Sequence, residues 1–309
     1  MATELYIKKV QSTMLIKNIE TLGKRFRKEH LDVWGTRKLD SDWFNALCFL
    51  LGRNFMRGRR DELSNIFLSF TLDRLRFLLN PSADLAEAFS TLQEHHAAGH
   101  LDSSSITDFK TKHGLKGTTN AVTHEHFDDE IAASNPIVKL LTTECEVTVE
   151  WPLQFSKKTR LSNEKDLMMV LDTLNLICQP GCKNVYLYLL EQINAGRTKT
   201  AYKTLDSLTA VGDKLASMTI RDICMMQRGL MLTDSCDVFP VDTWVRQTAE
   251  KLGCEAKGDL EIKEFFQKRC TECGADITLF AAGIWYLGTK ALTILVADFL
   301  GTYEIPAEE

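Results

Sequence analysis

Apolar residues recur at intervals of three and four through most of the chain, the spacing of helices that bury one face. The spacing predicts helices over Trp43–Leu51 and Asp61–Leu79. Asn80-Pro81 closes the second, because the residue before a proline is pushed out of the helical region. Further helices are expected over Ser82–His95, Lys183–Asn194 and Thr198–Leu208. Another is expected over Glu164–Cys178, with Ser162 or Asn163 as its cap and Gln179-Pro-Gly181 as its break. Glu146-Val-Thr-Val-Glu-Trp151 alternates in polarity instead, the period of a strand. The stretch 96–135 is rich in Gly, Ser, Thr, His and Asp and reads as a long connection or insertion. The expected fold class is all-α with one short β segment.

Composition narrows the class. Of 309 residues, 44% are hydrophobic and 26% charged, which excludes a disordered or fibrous chain. The longest apolar stretch, Ala291–Ala297, falls far short of the roughly 20 residues a bilayer requires, and the N-terminus lacks a signal-peptide core. No membrane partner is expected. Nine cysteines, an odd number, read as reduced thiols in a cytoplasmic or nuclear setting. The net charge of −5 does not point to a polyanion, but local patches decide docking. No glycine-rich phosphate motif is present, so no nucleotide cofactor is expected.

Two windows carry candidate chemistry. In the first, Leu208-Thr-Ala-Val-Gly-Asp-Lys214 is a tight apolar turn between two helical segments. Gly212 supplies a permissive backbone, and N–H groups at the start of the next helix can grip a phosphate. In the second, Asp237-Val-Phe-Pro-Val-Asp-Thr-Trp-Val245, Pro240 keeps the approach to the helix extended. Asp242 is placed to cap a helix over Thr243–Leu252, with Gly253 after its end.

Together these windows resemble the helix-hairpin-helix DNA glycosylase superfamily, nearest its 8-oxoguanine glycosylase/lyase branch and that branch's archaeal relatives. That family pairs a Leu-Pro-Gly-Val-Gly-x-Lys hairpin with a Val-Asp segment. Here Thr209 and Ala210 stand at the hairpin's Pro and Gly positions, and Lys214 and Asp242 lie 28 residues apart. The resemblance covers about residues 160–300. It implies two helical subdomains flanking a cleft, with a core over 136–309 and an N-terminal helical region over 1–135. It implies that Val211, Gly212 and Asp213 hold the DNA backbone, that Lys214 is the nucleophile and that Asp242 is the essential carboxylate. The chemistry suits these groups: a carboxylate stabilises positive charge developing on the sugar, and an amine can form a covalent intermediate at C1′. The target base must first leave the stack.

Trp285 lies where that branch has an aromatic to stack on the base, and Ala281 where it has a glutamine. Trp244 is a further pocket candidate. The absent glutamine leaves two substrate classes open, an oxidised purine or a bulky modified cytosine such as those of phage DNA. Gly52-Arg-Asn-Phe-Met-Arg-Gly-Arg-Arg60 carries four arginines and no acid. Arg53, Asn54 and Phe55 are candidates to fill the gap left by a flipped base, with Arg57, Arg59 and Arg60 for phosphates. Some relatives hold an iron–sulfur cluster on four cysteines. Cys270-Thr-Glu-Cys273 supplies one pair, but Lys263 and Leu279 stand at the flanking positions and cannot ligate, so neither metal nor cofactor is expected. All seven histidines precede residue 127; His124-Glu-His126 reads as a polar loop in preference to a metal site. The expected partner is double-stranded DNA with a modified base, bound by a monomer. The rival reading is a DNA-binding module that uses the hairpin without catalysis.

Overall fold

The computed structural model describes residues 2–35, 39–57, 61–149, 155–227 and 235–290. In chain order the α-helices are α1 (Ala2–His30), α2 (Asp32–Gly35), α3 (Trp43–Asn54), α4 (Asp61–Leu79), α5 (Leu85–Ala97), α6 (Ser104–Lys112) and α7 (Pro136–Thr142). There follow α8 (Glu164–Cys178), α9 (Val185–Asn194), α10 (Thr198–Asp206), α11 (Asp213–Met226), α12 (Thr243–Lys251), α13 (Asp259–Cys273) and α14 (Ile277–Lys290). Strands β1 (Cys145–Val149) and β2 (Phe155–Thr159) form an antiparallel pair, with Cys145 opposite Thr159. The chain is mostly helical, as its spacing predicts.

Local chemistry sets several boundaries. α4 and α8 begin and end where the apolar spacing places them. α5 starts later than expected because the Asp84 carboxylate accepts from Ala86 N and Glu87 N, making Leu85 the first helical residue. Asn163 caps α8 by accepting from Lys165 N. Trp151 and the Ala291–Ala297 stretch lie outside the described residues.

The chain divides into two compact units, each discontinuous in sequence. One comprises Met1–Arg37, Leu189–Thr204 and Ala216–Glu309; the other comprises Lys38–Tyr188 and Leu205–Leu215. The expected division at 135/136 falls inside the second unit.

In the first unit α1 packs along α14. Leu15, Ile16, Ile19 and Leu22 on one side and Phe280, Ala281, Ile284 and Leu287 on the other share a buried cluster with Phe239, Val245 and Phe266. Glycine makes the approach close. A Cβ on Gly283 would sit 1.8 Å from Ile19 O, and one on Gly23 would sit 1.8 Å from Leu279 O. Within α11, Arg221 and Asp222 form a buried ion pair at 2.7 Å, and the guanidinium lies over the Phe26 ring.

In the second unit α3 packs on α8 and α4, and the β-hairpin packs on α4. The stretch 96–135 corrects the expectation of a long connection. It folds as α6, a 3-10 turn at Ala121–Thr123 and a π-helical turn at Asp128–Ala132. Polar side chains hold it to the start of α8. Lys110 pairs with Glu164, Glu164 Oε2 accepts from Ala121 N at 2.7 Å, and Asn120 Oδ1 accepts from Glu164 N at 3.1 Å. Phe109 and Phe127 are buried beneath. Side-chain hydrogen bonds to backbone order this segment where apolar periodicity is thin.

Candidate nucleic-acid interface and catalytic residues

α10 ends at Asp206 and α11 begins at Asp213, so Ser207–Gly212 forms a turn between two helices. Leu208 and Val211 are buried and anchor it. Val211 N donates to Leu208 O at 3.0 Å, and Leu215 N donates to Gly212 O at 3.0 Å. Ala210 has φ of 62°, the left-handed region that costs an L-residue roughly 1–2 kcal/mol. The backbone therefore takes a glycine-type conformation at the position where the resemblance has glycine. Asp172, on α8, supports the turn: its Oδ2 accepts from Thr209 N at 2.9 Å. At Gly212 nothing lies within 4 Å of where a Cβ would stand, so the backbone there is open to a close-approaching group. Asp213 and Lys214 are the first two residues of α11, both half-buried.

The second window is equally ordered. Phe239 is fully buried and stacks on Phe266, with centroids 4.9 Å apart and planes at 9°. Pro240 and Val241 continue the buried approach. Asp242 is extended and caps α12; its Oδ1 accepts from Val245 N at 3.0 Å. Gly253, just past the helix, has φ of 84°, as a C-terminal glycine should. Lys214 belongs to the second compact unit and Asp242 to the first.

The expected pocket residues fall at three kinds of position. Ala281 is 1% exposed and belongs to the core between α1 and α14, so it lines no surface of the unit. Trp244 is half-buried against α14; a Cβ on Gly288 would meet its ring at 2.3 Å. Trp285 is half-buried and meets the edge of Phe26 at 5.4 Å and of His30 at 5.9 Å.

The basic window after α3 is corrected. Arg53 and Asn54 lie in the last turn of the helix itself and Phe55 is its C-cap; all three are buried. Arg53 lies over the Phe49 ring, and Asn54 Nδ2 donates to Thr173 Oγ1 at 3.2 Å. The amphipathic spacing of α3 runs one turn further than Leu51 and carries these residues into the core. Arg57 is half-buried and pairs with buried Asp166 at 2.5 Å. Arg59 and Arg60 lie outside the described residues.

Cys270 is buried near the end of α13, and burial drives its thiol far above the ordinary range. Burial pushes Cys224 up to about 12 and Cys178 up to about 11. None of these three is poised as a thiolate nucleophile at neutral pH. Lys263, at one flanking position of the Cys270–Cys273 pair, is itself 7% exposed.

Sequence reasoning misses Asp172 and the buried Arg221–Asp222 pair. Asp172 carries a usable signal, the one charged residue in the run Met168–Leu176. The pair carries none, since adjacent charges inside a helix usually mark a solvated face.

No family model matches the chain, and no solved structure is significantly similar to it. A curated protein of Methanocaldococcus jannaschii, "Uncharacterized protein MJECL21", is 32% identical over 92 residues. The match covers 28% of this chain and 21% of that protein, so the chain spans about a fifth of the relative's length.

Proposed function

We propose that this protein is a DNA glycosylase with an associated lyase activity, acting at C1′ of a nucleotide that bears a modified base. Lys214 is the nucleophile and Asp242 the carboxylate that stabilises charge developing on the sugar. The observation that carries the reading is the turn Ser207–Gly212. It joins two helices, turns through a left-handed Ala210 and leaves Gly212 open, with Lys214 in the first turn behind it. An N-terminal helix turn offers outward N–H groups to a phosphate. Asp242 supports the reading because its carboxylate is fixed by the cap to Val245 N, the pre-set orientation electrostatic catalysis requires. The substrate is an oxidised purine or a bulky modified cytosine.

A panel of duplexes carrying such bases, with mass analysis of what is released, tests the activity. Release of one base class by the native protein, and loss of strand scission in Lys214→Gln, is expected. The non-catalytic rival predicts salt-sensitive DNA binding with no released base from any duplex.

A further inference from the structure

One carboxylate holds the Ser207–Gly212 turn from behind. Asp172 Oδ2 accepts from Thr209 N at 2.9 Å, and Leu208 O, at the other end of the same peptide group, accepts from Val211 N at 3.0 Å. The Leu208–Thr209 peptide is therefore fixed at both ends. It leads directly into Ala210, whose φ of 62° is a conformation that an alanine abandons when nothing holds it. Asp172 and the turn belong to the same compact unit. Leu208 N is engaged as well, by Leu205 O at 3.1 Å. Among the described residues no acceptor meets the N–H of Ala210 or that of Gly212, and Gly212 is exposed. A turn through a left-handed residue gathers such N–H groups into an anion-binding concavity.

Thr209 explains why an acceptor is needed there. Hairpins of the kind this turn resembles have proline at that position, which carries no N–H and fixes its own φ. Threonine brings an N–H that must be satisfied and a backbone free to rotate. Asp172 meets both requirements with one bond. Its charge is incidental, since a second anion beside a phosphate repels it; what the turn uses is the accepting oxygen.

We propose that Asp172 is a positioning residue for DNA binding: it holds the Leu208–Thr209 peptide so that Ala210 stays left-handed and the Ala210 and Gly212 N–H groups stay set for one backbone phosphate. Asp172 itself touches no DNA and takes no part in the chemistry at C1′. The inference rests on the reading of this turn as a DNA contact, and it gives a reason for the turn's departure from the proline–glycine pattern: Thr209 and Ala210 are tolerated because α8 supplies the restraint that those two residues would otherwise build in.

Fluorescence anisotropy with the full chain and an unmodified labelled duplex, at low and at raised salt, tests this. The native protein should bind, and more weakly as salt rises. Asp172→Ala should bind about five- to thirtyfold more weakly, the scale set by the strain at Ala210 that the lost bond no longer opposes. Asp172→Asn keeps a neutral acceptor and should bind within about twofold of native. In an Ala210→Gly background, Asp172→Ala should cost less than about threefold, because glycine holds the left-handed conformation without strain. A merely structural role would not give that rescue or that coupling. Should Asp172→Ala fail to fold, amide hydrogen exchange at Thr209 in the native protein replaces it, and should stay slow both free and with duplex bound. Undiminished binding by Asp172→Ala, a full loss in Asp172→Asn, an equal loss in the glycine background, or Thr209 exchange that quickens on duplex binding would each overturn the role of Asp172 while leaving the DNA reading intact. A native protein with no salt-sensitive duplex binding would overturn that reading, and the inference with it.

Discussion

Replacing Gly283 with alanine places one methyl group where the first unit has no room for it. The new Cβ would sit 1.8 Å from Ile19 O, 2.8 Å from Ile19 C and 3.0 Å from Gly23 N. All three atoms are backbone, so no side chain can swing away. Restoring ordinary contact requires α1 and α14 to separate locally by about 1.6 Å. Overpacking of this kind costs about 1–3 kcal/mol, and a rigid backbone obstacle argues for the upper end. Alanine returns about 1 kcal/mol through its better helix propensity. The net expectation is a loss of about 2 kcal/mol, or roughly 4–8 °C in Tm for a unit of this size. Urea denaturation followed by far-ultraviolet circular dichroism measures it, with Gly35→Ala as control because nothing lies within 4 Å of that site. A Gly283→Ala protein as stable as native, or more stable, would refute the close α1–α14 packing.

Three further outcomes follow from named contacts. Asp242→Asn keeps the cap and should leave stability within a few tenths of a kcal/mol while slowing base release, whereas Asp242→Ala should also cost about 1 kcal/mol of stability. Equal activity in the Asn variant, measured by single-turnover release, would assign Asp242 to capping alone. Ala210→Gly removes left-handed strain of about 1–2 kcal/mol and adds unfolded-chain entropy of about 0.5–1 kcal/mol, so chemical denaturation should show a gain of roughly 0.5–1 kcal/mol; a loss of that size would contradict the turn geometry. Arg57→Ala removes one partner of buried Asp166 and should cost about 1–3 kcal/mol by the same assay, beyond the effect of deleting a solvated phosphate contact.

Much of the helical frame is legible in the sequence because burial leaves a period. α4 and α8 follow from apolar spacing alone, and the capping roles of Asn163 and Asp242 follow from their place before an apolar run. α1 carries the same signal in Leu15, Ile19, Leu22 and Phe26, but its many charged residues dilute it and no recognisable motif draws attention to it. The compact units are not legible. Their boundaries depend on α1 reaching α14, a pairing that two glycines at Gly23 and Gly283 permit and that no local pattern announces. Arg53 and Asn54 show the opposite failure: charge and polarity suggest a surface, while helix phase decides burial.

The proposed chemistry rests on a single amine attacking the sugar. Borohydride reduction during turnover on the best substrate of the duplex panel, followed by proteolysis and mass mapping of the protein–DNA adduct, reads that attack out residue by residue. A single adduct whose reduced sugar is carried by Lys214 is expected. An adduct on another lysine, or none on a duplex from which the protein does release a base, would contradict it.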